Sequence, residues 1–66
     1  MDMPLQNREV IIEMHPVGQV IRVAAMDTKT LIEITIQGPA STPELILKRN
    51  ALKRLEYVLR KKEIID

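Results

Sequence analysis

The chain has no cysteine, tryptophan or phenylalanine, and Tyr57 is its one aromatic residue. Without cysteine there are no disulfides and no thiolate metal sites. One histidine, His15, excludes a multi-histidine metal site within a single chain. The two glycines, Gly18 and Gly38, cannot build a phosphate-cradling G-x-x-x-x-G-K loop. No apolar run approaches the ~20 residues of a membrane span. The start, Met1-Asp2-Met3-Pro4-Leu5, lacks the basic and apolar regions of a secretory signal. These absences lead us to expect a cytoplasmic chain with no metal, cofactor or small-molecule ligand. A sheet without aromatic side chains also makes a poor stacking platform for single-stranded nucleic acid.

What remains is aliphatic. A chain of 66 residues buries only roughly 60% of the surface its unfolded state exposes, so its core is marginal. Of the usual supplements to a small core, oligomerisation is the one left open.

Residues 1 to 7 show no periodicity and are expected to form a loose arm. "REVIIEMH" (8 to 15) alternates Val10, Ile12 and Met14 with Glu9, Glu13 and His15, the pattern of a half-buried strand. "HPVG" places Pro16 and Gly18 where a type I turn prefers them. "QVIRVAAM" (19 to 26) is strand-like, with Ile21, Val23 and Ala25 on its uncharged face. Asp27 opens a second turn, where its carboxylate can accept a backbone N–H. "LIEITIQ" (31 to 37) sets Ile32, Ile34 and Ile36 against Leu31, Glu33, Thr35 and Gln37, and Gly38-Pro39 is expected to end it. "STPE" (41 to 44) matches a capping box, Ser41 with Glu44, and opens a helix over about residues 42 to 62. Residues 63 to 66 are read as a tail.

The expected fold is α+β: a three-stranded antiparallel meander with one C-terminal helix on one face, β-β-β-α, in one domain over 8 to 62. The face with Val10, Ile12, Met14, Ile21, Val23, Ile32, Ile34 and Ile36 should lie under the helix. The opposite face is not properly polar, since Ile11, Val20, Ala24, Met26 and Leu31 sit there among Glu13, Arg22 and Glu33. These five form a candidate dimer face, and both edge strands are open to pairing. A homodimer accounts for both features and for the small core.

Net charge is +1, but the two halves differ. Residues 1 to 41 hold three basic and five acidic groups, a net of −2; residues 42 to 66 hold seven and four, a net of +3. On a helical wheel Leu45, Leu47, Ala51, Leu52, Leu55, Val58 and Leu59 form the docking face. Arg49, Lys53, Arg54, Tyr57, Arg60 and Lys61 lie on the outward side and form a candidate partner-binding patch. Glu44 to Lys48 and Glu56 to Arg60 are favourable i,i+4 pairs. A charged solvent face explains most of this arc; an acidic protein surface or a nucleic-acid phosphate backbone are the functional readings. The strand order and basic helix match the last two-thirds of a double-stranded-RNA-binding domain. The turn where that domain carries lysines is acidic and apolar here, Thr42-Pro43-Glu44-Leu45.

No catalytic constellation emerges. His15 has Glu13 as its one nearby carboxylate, and Asp27, Thr28, Thr30 and Glu33 are explained by turn chemistry and an outward strand position.

Gly18, Val23, Ala25 and Asp27, then Ile36-Gly38-Pro39, then Leu47-Lys48, Ala51-Leu52 and Leu55-Glu56-Tyr57-Val58-Leu59 form one spaced pattern across residues 17 to 62. In this pattern the chain resembles a family of short bacterial proteins that is a domain of unknown function. The turn of those relatives carries Thr-Gly where this chain has Lys29-Thr30. Some relatives bear a serine hydroxymethyltransferase label, which a 66-residue unit with no pyridoxal-phosphate pocket does not support. The resemblance implies a shared fold and no activity. The expected role is a non-enzymatic interaction and assembly module, homodimeric; the alternative is a nucleic-acid-associated protein acting through the basic helix face.

Overall fold

The structure is a computed structural model and describes residues 8–65. The arm expected over residues 1 to 7 lies outside the described residues. Three strands and one helix follow in order: β1 (Val10–Val17), β2 (Val20–Asp27), β3 (Glu33–Pro39) and α1 (Glu44–Lys61). The strands form one antiparallel meander in the order β1-β2-β3. This is the β-β-β-α arrangement that the alternation and the helical period predict.

The first turn differs from expectation. β1 runs through Pro16 to Val17, and Val17 pairs with Val20 across Gly18-Gln19. Gly18 takes φ +60, as the first central residue of a primed two-residue hairpin requires. Pro16 is tolerated because of its parity. The Thr28 N–H donates to the Glu9 carbonyl at 3.1 Å, so odd-numbered positions of β1 bond to β2 and even-numbered ones face the free edge. At Pro16 the missing N–H therefore costs no ladder bond.

β3 also shifts. It begins at Glu33, not Leu31, and continues through Gly38 and Pro39. Leu31 lies in the connecting loop with φ 63, its N–H donating to the Asp27 carbonyl at 2.7 Å. At the other end the Ala40 N–H bonds to the Gln19 carbonyl, which leaves Pro39 facing the free edge of β3. A proline thus survives in each edge strand for the same reason.

The inner face carries the core. Val23, Ala25 and Ile34 are buried with Leu47, Ala51, Leu55 and Leu59 of α1; Val10, Ile12, Met14, Ile21, Ile32 and Ile36 pack around them. All eight residues expected under the helix lie on this inner face, but Val10, Ile12 and Met14 stand on β1, beside the helix instead of beneath it. The helix lies over β2 and β3 and makes little contact with β1. At its start Leu47 sits against Gly38, where a Cβ would fall 2.8 Å from Leu47 Cδ2. Gly38 is thus the residue that lets the helix approach the sheet.

Both helix ends depart from expectation. The Ser41–Glu44 capping box does not form. The N-cap is Pro43, with no side-chain cap bond, because residues 39 to 42 are taken up by a turn closed by Thr42 N–H to the Pro39 carbonyl. The C-terminus, read as a tail, is a built cap. Glu63 takes φ 61, its N–H bonds to the Arg60 carbonyl, and the Ile64 N–H bonds to the Leu59 carbonyl. These are the two bonds of a Schellman motif. Ile64 and Ile65 then fold onto the core.

A left-handed residue other than glycine costs roughly 1–2 kcal/mol, so Glu63→Gly is expected to raise unfolding free energy by about 1 kcal/mol in urea titrations. Gly38→Ala forces the close contact with Leu47 open and should lower it by about 1–3 kcal/mol, read in the same titrations.

Candidate functional site

The six residues of the outward patch are all exposed on α1, spread over the arc outside Leu47, Ala51, Leu55 and Leu59. Their chemistry is partly engaged within the chain. Arg60 Nη1 lies 2.7 Å from Glu56 Oε1, and Lys48 Nζ lies 3.2 Å from Glu44 Oε1, so both i,i+4 pairs form as the spacing predicts. Tyr57 is half exposed, and its ring is covered by Arg54 (5.3 Å from the guanidinium carbon to the centroid) and Lys61 (5.8 Å from Nζ). Such cation–π contacts hold the ring and both cations on the helix surface. Arg49 and Lys53 are exposed and carry no ion pair among the described residues.

Those two residues border a feature that the wheel alone does not reveal. Leu45 is 67% exposed, although the apolar stripe of the helix includes it. The buried stripe is narrower, centred on Leu47, Ala51, Leu55 and Leu59. Leu45 and Leu52 flank it on the side toward β1. There they line a groove of about 470 Å³ with Ile12, Lys48, Arg49, Lys53 and Glu56. The groove exists because α1 covers two strands of the three. Its floor is aliphatic and its rim mostly basic.

The outer sheet face is less continuous than the candidate dimer set implies. Ile11 lies beside Met26, and Val20 beside Val17, so apolar side chains gather at two ends. Between them run the rows Glu13–Ala24–Thr35 and His15–Arg22–Gln37. Glu13, His15, Arg22, Ala24 and Thr35 of these rows line a shallow depression of about 230 Å³ with Val17 and Glu33. His15 Nε2 lies 3.7 Å from Glu13 Oε1, both exposed. Leu31, the fifth member, is 69% exposed and stands in the loop before β3 instead of on the strand.

The residue that sequence reasoning undervalued is Asp27. It continues the parity of Ile21, Val23 and Ala25, and so it turns inward and is fully buried. Its Oδ2 accepts from Arg8 Nη1 at 2.8 Å, from the Thr30 hydroxyl at 2.7 Å and from the Thr30 N–H at 3.2 Å. The Thr30 hydroxyl in turn accepts from the Ile32 N–H at 3.3 Å. Oδ1 is buried without a hydrogen-bond partner among the described residues. Burial alone would raise this carboxyl. The Thr30 hydroxyl, the Arg8 guanidinium and the backbone N–H groups of Thr30 and Lys29 outweigh it and hold the group below the ordinary carboxylate value. This cluster joins the start of β1 to the β2–β3 hairpin. The parity was the available signal, because an inward position on an apolar strand face needs an ionic partner.

Among the described residues no three His, Cys, Asp or Glu side chains gather as a metal site. No helix there is long and apolar enough to cross a membrane. Among the described residues, one sheet and one helix with an open groove and a shallow depression at the surface define a small α+β domain of β-β-β-α order. The chain belongs to the family described as domain of unknown function DUF6898, whose model matches residues 7–62. No curated protein and no solved structure matches it.

Breaking the Asp27–Arg8 pair leaves a largely buried guanidinium without its counter-charge. Asp27→Ala is expected to cost about 3 kcal/mol of stability, near the lower bound for buried pairs because Arg8 keeps some solvent contact. The folded pKa is depressed, so the pair's contribution is complete above the unfolded carboxylate value of about 3.9. It is lost as pH falls through the lower folded value. Denaturant midpoints of the wild-type protein should therefore drop below about pH 4, and Asp27→Ala should remove part of that drop.

Proposed function

We propose that the chain is a non-enzymatic interaction and assembly module of the cytoplasm that works as a homodimer. The observation that carries this reading is the incomplete cover of the sheet. Val10, Ile12 and Met14 are only half-buried at the edge of the core, and Leu45 and Leu52 beside them line an open groove. Apolar surface left at the margin of so small a core is stabilised by a second protein surface. The outward arc of α1 then offers Arg49 and Lys53 to an acidic protein partner, with Arg54, Tyr57 and Lys61 as a stacked neighbour.

Nucleic-acid association is the second reading, and the exposed pair Arg49 and Lys53 is what favours it. It is the weaker one, since Lys48 and Arg60 already hold carboxylates and Arg54 and Lys61 cover Tyr57. Light scattering at high micromolar concentration is expected to give twice the 7.6 kDa chain mass; a monomer overturns the homodimer. Duplex RNA or DNA at low salt should leave the protein unbound. Binding that falls with salt at a log–log slope on the order of −4 would instead move the function to the basic arc.

A further inference from the structure

We propose that the second copy joins edge to edge through β1, about a two-fold axis at Ile12, giving one six-stranded sheet with both helices on the same face. This rests on the homodimer reading above and specifies its geometry.

The edge of β1 that no strand pairs with among the described residues defines the contact. Because the Glu9 carbonyl bonds to Thr28, the N–H and C=O groups of Val10, Ile12 and Met14 point away from β2. Pro16 closes the series at one end, since it offers no donor. At the other end the chain bends at Arg8, whose side chain is tied to Asp27. Three residues with outward donors and acceptors therefore lie between two stops. An antiparallel pairing centred on Ile12 places Ile12 against its own copy and Val10 against Met14, and all three donors of each copy find acceptors. Sliding toward Pro16 opposes Val10 to the proline; sliding the other way opposes Met14 to the bent Arg8.

The side chains agree with this register. Val10, Ile12 and Met14 share the inner face, so their unburied sides would meet the same residues of the second copy. The two grooves lined by Ile12, Leu45 and Leu52 would face one another across the seam. On the outer face Glu9 of one copy falls opposite His15 of the other, a carboxylate acceptor facing an imidazole, repeated by the two-fold. The β3 edge has less to gain. Its outward backbone groups belong to Glu33, Thr35 and Gln37, and the apolar face beneath it is already under α1.

The test uses two single-cysteine variants of the full chain, each carrying a spin label at an exposed position. With strands ~4.8 Å apart, equivalent residues of the two β1 strands lie within about 10 Å, while the β3 strands lie about 24 Å apart. Glu13→Cys labels should therefore couple strongly and Thr35→Cys labels should give the longer distance. Ile12→Pro, which removes an edge-facing N–H together with part of a half-buried aliphatic side chain, should give a folded monomer by circular dichroism and light scattering. A dimer whose Thr35 labels are the close pair, or one that Ile12→Pro leaves intact, overturns the edge contact while the homodimer stands. A wild-type monomer overturns both.

Discussion

A helix with its side chains is about 10 Å across, whereas three strands spaced at ~4.8 Å present a wider face. The helix must choose which strands to cover, and here it lies over β2 and β3. That mismatch governs the rest of the molecule. Val23, Ala25 and Ile34, under the helix, are buried; Val10, Ile12 and Met14, on the strand it misses, are half-buried. It also places Leu45 and Leu52 over a gap where the sheet offers little to touch. The close seat of Leu47 at Gly38 belongs to this placement, since a Cβ there would fall 2.8 Å from Leu47 Cδ2.

The second constraint acts at the other end of the sheet. Strand parity sends Asp27 inward together with Val23 and Ala25, into surroundings that would ordinarily raise its pKa. Arg8 and Thr30 reverse that tendency, and in doing so they join residue 8 to the β2–β3 hairpin. The same loop holds Leu31 in a left-handed conformation with its side chain in solvent. Glu63 holds a second such conformation, which directs Ile64 and Ile65 back onto the core. In a domain this small, two apolar residues beyond the helix are a sizeable share of the hydrophobic cover.

Most of the fold is legible in the sequence because period-two alternation and the helical stripe are strong signals in an aliphatic chain. The eight inner-face residues, the β-β-β-α order and both i,i+4 ion pairs all follow from spacing. The details that do not follow share a cause. Proline and glycine mark breaks on average, but Pro16, Gly38 and Pro39 lie inside strands because an outward N–H is dispensable at an edge and a missing Cβ is needed under a helix. The Schellman cap carries glutamate where glycine is the usual marker, so the chain gives no local sign of it. The outward patch on α1 was legible as a set of residues, but not its internal pairing: that Arg54 and Lys61 would cover Tyr57 depends on rotamers. The groove was hidden because a wheel shows one helix and not the width of the sheet beneath it.

Edge strands in soluble domains are commonly guarded by proline, charge or short length. Here the guards sit at the ends. Pro16 stands at one end of β1 and Pro39 at one end of β3, each turned outward, and among the described residues the β1 edge stays open between Pro16 and Arg8 for a few residues only. A fully open edge would pair in several registers, and a fully blocked one in none. An open stretch bounded by a proline and an anchored arginine limits both the length and the register of whatever adds to it. The same stretch carries the half-buried aliphatics that the helix leaves uncovered, so the unsatisfied backbone and the unsatisfied apolar surface belong to the same three residues.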